Sequence, residues 1–240
     1  WVDRTMLSDI GLSVSVMDLV RGLAVGSGVV VALFVIEICL GWLKIVGYRE
    51  VVVPDESLLI NLFWDVLFHI GVSINEEISM RGWILVNTAS YIVTFGASTS
   101  VAMTFSVLLQ ASLFALLHAT SPGASCVGLI NLVVGGTAAA LNVFLSGSLS
   151  FGLGWHFGWN ITMGHLLGMS TSGIPMSAKL VSVVPHPQKA HLHGGRFGPE
   201  QSPLAPLAYI FGCILLVKIY GVKGIDVWQE RLTTITSATS

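Results

Sequence analysis

Glu76, Glu77 and Arg81 stand together in otherwise apolar sequence. An ionised side chain near a bilayer centre costs about 2.5–3.5 kcal/mol on insertion scales, so charges kept at that depth usually mark function. Glu77 and Arg81 are four apart, the spacing of an internal ion pair on a helix. Glu76 then points roughly 100° away and has no local partner. A lone carboxyl in apolar surroundings suits proton transfer. The plainer alternative is that the cluster only pairs with neighbouring helices or sits at headgroup level.

Other polar residues recur on later apolar segments. His118 closes the segment Leu113, Phe114, Ala115, Leu116, Leu117. Alone, such a histidine is more often a hydrogen-bonded structural group. His156 and Asn160 are four apart, on one helical face, and fit either interhelical hydrogen bonding or polarisation of a reacting group. Asp65 and His69 share a face with Glu76 if the helix is continuous, and could extend the site as a proton path, although satisfaction by neighbouring helices is the commoner case. His165 projects opposite His156 and reads as structural. His186, His191 and His193 read as solvated loop residues before metal ligands.

Long apolar elements must position these groups. Hydrophobic residues make up 53% of the 240, charged residues 10%, and the mean hydropathy is +0.81. Ordinary soluble domains carry roughly 25% charged residues. From Gly82 to Ala178 there is no Asp, Glu, Lys or Arg. At about 20 residues per crossing, that stretch holds three crossings. The expected fold is all-α, a polytopic transmembrane helical bundle of about six spans with a polar cavity between helices. The spans fall near 22–46, 58–90, 98–117, 124–145, 149–169 and 204–222, after a short interfacial helix over 12–20. The second is roughly 50 Å long at 1.5 Å per residue, longer than a bilayer core, so it must tilt, protrude or kink. Gly71, Ser73 and Asn75 are the expected kink. The chain divides into 1–21, an N-terminal polar or interfacial segment; 22–56, the first span and loop; 57–170, the core carrying the chemistry; and 171–240, a polar loop, last span and tail.

Composition bounds the partners. The net charge of −2 and the absence of a basic block give no sign of nucleic acid, and the lipid bilayer is the first partner. Cys39, Cys126 and Cys213 read as packing residues rather than a disulfide framework. The sequence opens at Trp1, which suggests a processed or imported product. Charges flanking the spans fix no orientation.

Glu-Glu-x-x-x-Arg at 76–81, Phe-x-x-x-His at 114–118 and His-x-x-x-Asn at 156–160 occur in that order. Together they resemble the CAAX prenyl protease and bacteriocin-processing family of intramembrane proteases over about residues 58–170. The segment from Gly194 to Glu200 resembles a loop of some bacterial members. The resemblance implies that Glu76 and His118 hold and deprotonate a water that attacks a peptide carbonyl. It implies that His156 and Asn160 donate hydrogen bonds to the oxyanion, while Glu77 and Arg81 orient them. The family is also described as metal-dependent, and Glu76, His118 and His156 would be the three ligands if zinc is present. No His-Glu-x-x-His pair exists here, and a metal-free water activated by Glu76 is favoured.

An intramembrane endopeptidase acting on a membrane-associated polypeptide is the leading expectation. The alternative is a non-proteolytic scaffold on the same fold, packed with other subunits of a membrane complex. A transporter using Glu76 as proton carrier would want a second half built like the first, which is absent. The membrane is expected to be a bacterial plasma membrane or an organellar (plastid) one, and the sequence does not identify the substrate or its prenylation.

Overall fold

The computed structural model describes residue 11 and residues 13–52, 56–174 and 176–237. Helix α1 (Val16–Cys39) opens on Ser15, whose hydroxyl accepts from the Asp18 N–H. Strand β1 (Leu43–Val51) follows, then α2 (Leu58–Glu76), a π-helical segment (Glu77–Ile84) and α3 (Leu85–Thr94). Next come α4 (Thr99–Leu117), α5 (Cys126–Ser146) and α6 (Leu149–Ile161), which runs into a second π-helical turn (Thr162–Leu166). Strand β2 (Ala178–Pro185), the short α7 (Ala190–His193), α8 (Ala205–Tyr220) and α9 (Lys223–Ser237) complete the order.

The all-α bundle expected from the sequence is present, with several corrections. The first span is shifted. One helix runs from Val16 through Arg21 to Cys39, absorbing the separate interfacial helix expected over 12–20. It stops at Gly41, whose φ of +65° is open to glycine, and the Ile45-Val46 stretch beyond leaves as strand rather than helix. β1 pairs antiparallel with β2, from Leu43 opposite Pro185 to Val51 opposite Ala178. Both strands lie partly where polar loops were expected.

The long second span does not kink at Gly71, Ser73 or Asn75. α2 continues through all three, and the irregularity is the π-helical segment that begins at Glu77, at whose far end the Leu85 N–H reaches back five residues to the Met80 carbonyl. Such wide turns concentrate at functional sites.

Four helices or helical runs among the described residues are long and apolar enough to cross a membrane: Val16–Cys39, Leu58–Thr94, Thr99–Leu117 and Cys126–Ser146. α8 with α9, bent by 81°, makes up to a fifth, so about six spans becomes four or five. α6 drops out of the set because it is short and carries His156 and Asn160. The tail expected to be merely polar forms α9, whose Trp228 is buried and donates to the Val143 carbonyl at 3.2 Å.

α1 and α6 cross in close contact. A β-carbon on Gly22 would stand 2.1 Å from the Phe151 carbonyl oxygen, and one on Gly154 would stand 2.1 Å from that of Leu19. Only glycine permits that approach, the small-residue mode by which helices pack in lipid. α6 is thereby held between α1 and the run of α2 and π-helical segment that bears Glu76 and Glu77. Its inner face adds Trp155 and Trp159, stacked at 6.4 Å between ring centres, with Tyr209 of α8 over Trp159 at 5.1 Å.

Candidate active site

Glu76 ends α2 and Glu77 opens the π-helical segment, so the two carboxylates leave the helix where its winding changes. Glu77 and Arg81, each 1% exposed, form the ion pair read from their spacing, with Arg81 Nη1 3.2 Å from Glu77 Oε1. The guanidinium also lies 4.4 Å from the centre of the Phe114 ring.

The same Glu77 oxygen has a second partner. It accepts from His156 Nδ1 at 2.9 Å, which fixes the imidazole with Nε2 turned away from Glu77. That Nε2 lies 3.5 Å from Glu76 Oε2. Glu76 is therefore not without a partner, as its direction on an ideal helix suggested. Two successive carboxylates flank the two nitrogens of one ring. Gly152 makes room for this, since a β-carbon there would stand 3.1 Å from Glu77 Oε2.

His118 caps the C-terminus of α4. Its Nδ1 donates to the Phe114 carbonyl at 2.8 Å, leaving Nε2 free in that tautomer. Glu76, His118, His156 and Asn160 all line one cavity of about 180 Å³, together with His69, Ser172 and Glu200. A smaller adjoining cavity is shared by Glu77, Arg81, His156, Asn160 and Glu200. The four side chains expected to act and the two expected to support them are thus brought together from α2, the π-helical segment, α4 and α6.

Sequence reasoning gave Glu200 no role. It lies on the loop between β2 and α8, is buried, and its Oε2 accepts from the Ser172 N–H at 2.8 Å and the Ser172 hydroxyl at 2.6 Å. Burial pushes its carboxyl above the ordinary range, opposed by Ser172 and by nearby His118 and His156. The resemblance reached the loop from Gly194 to Glu200 but not the part this carboxyl plays, and the loop is held by Asn131, whose side-chain amide donates to the Glu200 and Ser202 carbonyls at 3.1 and 2.9 Å.

His69 lines the cavity and stands 5.1 Å, ring centre to ring centre, from His165. His165 Nδ1 lies 2.8 Å from the Ala178 carbonyl and 3.3 Å from Asp65, which also accepts from Ser177 Oγ at 2.6 Å. Asp65, His69 and His165 therefore join α2 to β2 behind the cavity. In the loop, His186 and His191 are exposed as expected, whereas His193 is buried with Nε2 3.0 Å from the His186 carbonyl.

Among the described residues no three His, Cys, Asp or Glu side chains are grouped to hold a metal ion.

The family described as type II CAAX prenyl endopeptidase Rce1-like has a model that matches residues 58–162. The matched segment runs from the start of α2 to the first residue after α6 and contains all three motifs. No curated protein and no solved structure matches the chain. The family match and the motif order support the CAAX prenyl protease and bacteriocin-processing family for this segment, which is under half of the 240 residues, and the apolar helices support an integral membrane protein.

Proposed function

We propose that the protein is an intramembrane endopeptidase that hydrolyses a peptide bond of a membrane-associated polypeptide. The observation that carries this reading is the convergence of Glu76, His118, His156 and Asn160 on one cavity, from helices distant in sequence. Peptide hydrolysis needs a base for water and donors for the oxyanion. Glu76 takes a proton from water, and His118 Nε2 accepts a hydrogen bond from the same water. His156 donates from Nε2 and Asn160 from its amide to the developing oxyanion. The Glu77 and Arg81 pair keeps His156 in that orientation. No metal ion is needed for these steps.

Glu76→Gln and His118→Ala, compared with wild type for processing of candidate polypeptides in native membranes, test the reading. Loss of cleavage in both is expected. Unchanged cleavage in both overturns it, and variants that assemble a larger complex normally where the wild type cleaves nothing point to the scaffold.

A further inference from the structure

Glu76 is not the only carboxyl in the cavity. Glu200 faces the same space from a loop, and the structure around it is elaborate. Asn131 clamps the backbone on both sides of Gln201, and Gln201 itself accepts from the Ser125 hydroxyl at 2.8 Å and donates to the Gly194 carbonyl at 3.3 Å. Gly198, with φ of +109°, brings the loop against Ser170, where a β-carbon would stand 2.1 Å from the carbonyl oxygen. The product of this bracing is one buried carboxyl at the junction of the two cavities that His156 and Asn160 line.

The two oxygens of Glu200 are not equivalent. Both Ser172 donors converge on Oε2, so that oxygen is an acceptor. Oε1 has no hydrogen-bond partner among the described residues, yet it is not among the fully enclosed unpartnered atoms, so it opens onto the cavity. A neutral carboxyl in this setting carries its proton on Oε1, pointed at whatever occupies the cavity.

We propose that Glu200 is the general acid of the reaction, donating the Oε1 proton to the leaving amide nitrogen. This rests on the endopeptidase reading above. As the water oxygen bonds to the carbonyl carbon, the water proton passes to Glu76. As the carbon–nitrogen bond breaks, the Glu200 proton passes to nitrogen. Glu200 is left as a carboxylate and Glu76 as an acid, and one proton moving between them through cavity water restores both. An amine expelled without a proton is a very poor leaving group, which is why a positioned acid matters for amides. The charged and titratable groups that share the two cavities with Glu200 are His69 and Glu76 on α2, Glu77 and Arg81 on the π-helical segment, His118 at the end of α4, His156 on α6 and Tyr209 on α8. Burial keeps Glu200 protonated to higher pH than an ordinary carboxyl.

The test compares a polypeptide that the wild-type protein cleaves in proteoliposomes with the same sequence carrying a nitrophenyl ester at the scissile position. The phenolate leaves without a proton. Glu200→Gln is expected to lower kcat on the amide by roughly 100-fold or more, with KM little changed, and to leave the ester within a few-fold. Glu76→Gln should fail on both. Equal losses on amide and ester in Glu200→Gln reduce Glu200 to a brace and overturn the proposal. Full activity of Glu200→Gln beside an inactive Glu76→Gln overturns it while sparing the endopeptidase reading; an active Glu76→Gln overturns that reading instead. If Glu200→Gln does not fold, Ser172→Ala gives a second measure. It removes a hydrogen bond that favours the ionised form, so the alkaline limb of the amide pH profile should move to higher pH, and an unmoved limb counts against Glu200. Infrared spectra of the protein in liposomes need no substrate. The wild-type minus Glu200→Gln difference spectrum should contain a protonated-carboxyl band at neutral pH that the wild-type minus Glu76→Gln difference lacks, because the buried Glu37 cancels in both, and its absence overturns the assignment.

Discussion

The Nδ1 of His156 lies 2.9 Å from Glu77 Oε1, so the carboxylate that neutralises Arg81 also aims an imidazole from another helix. One buried oxygen sets both the charge balance and the orientation of the ring. Replacing Glu77 by Gln should therefore strand Arg81 and release His156 together. Breaking a buried pair from one side costs about 3–5 kcal/mol, whereas removing both charges is far milder. Thermal unfolding in detergent should show Glu77→Gln well below wild type and Glu77→Gln with Arg81→Met recovering part of the loss. No recovery in the double variant would contradict the pairing.

The crossing of α1 and α6 gives a prediction remote from any reacting group. Gly22→Val or Gly154→Val drives a side chain into backbone and should cost about 1–3 kcal/mol or more, with activity falling as α6 shifts. Gly28 is on the same α1 helix, but a β-carbon there meets nothing within 4 Å. Gly28→Ala should leave the melting temperature unchanged or raise it, since alanine is favoured over glycine within helices. Equal responses at Gly22 and Gly28 would rule out the close crossing.

Asp65 ties α2 to β2 through Ser177 and the Ala178 N–H, at 2.6 and 3.2 Å. Asp65→Asn should weaken both and loosen His165, at about 1–3 kcal/mol. Amide hydrogen exchange should speed up across residues 178–184 while α5 keeps its protection. Unchanged exchange in the strand would argue that Asp65 is dispensable there.

Glu200 makes stability depend on pH. Its carboxyl ionises at higher pH in the folded protein than in the unfolded chain, because burial disfavours the charge. Below the unfolded value both states are protonated and the advantage of folding is whole. As pH rises from there through the raised folded value, the unfolded chain ionises first and stability falls. Glu200→Gln has no such proton, so its melting temperature should gain on wild type across that window. A constant difference from acid to neutral pH would mean that Glu200 is charged in the fold.

Much of this was legible in the residues themselves. The absence of charge from Gly82 to Ala178 dictates membrane helices, and the Glu77 to Arg81 spacing gives the ion pair because both lie within one helical turn. The contact of Glu76 with His156 joins two helices, so spacing alone did not give it, and only the resemblance brought the two residues into one site. Gly71 misled because glycine often marks a bend, yet here it lies on an open face where nothing presses on it. The strand at Leu43–Val51 was read as the end of a helix followed by a loop, because apolar β-branched residues serve either element until a partner is known, and that partner lies at Ala178–Pro185. The part of Glu200 is hidden for the same reason, since Asn131, on another element, holds its loop.

The loop that carries Glu200 lies far along the chain from Glu76 and His118. Helices α2 and α4 place Glu76 and His118 early in the chain, and α6 adds His156, but Glu200 follows β2 and comes just before α8. The cavity wall is therefore closed from two separate stretches of chain, and a polypeptide cut between β2 and Glu200 would keep the histidines and lose the carboxyl opposite them.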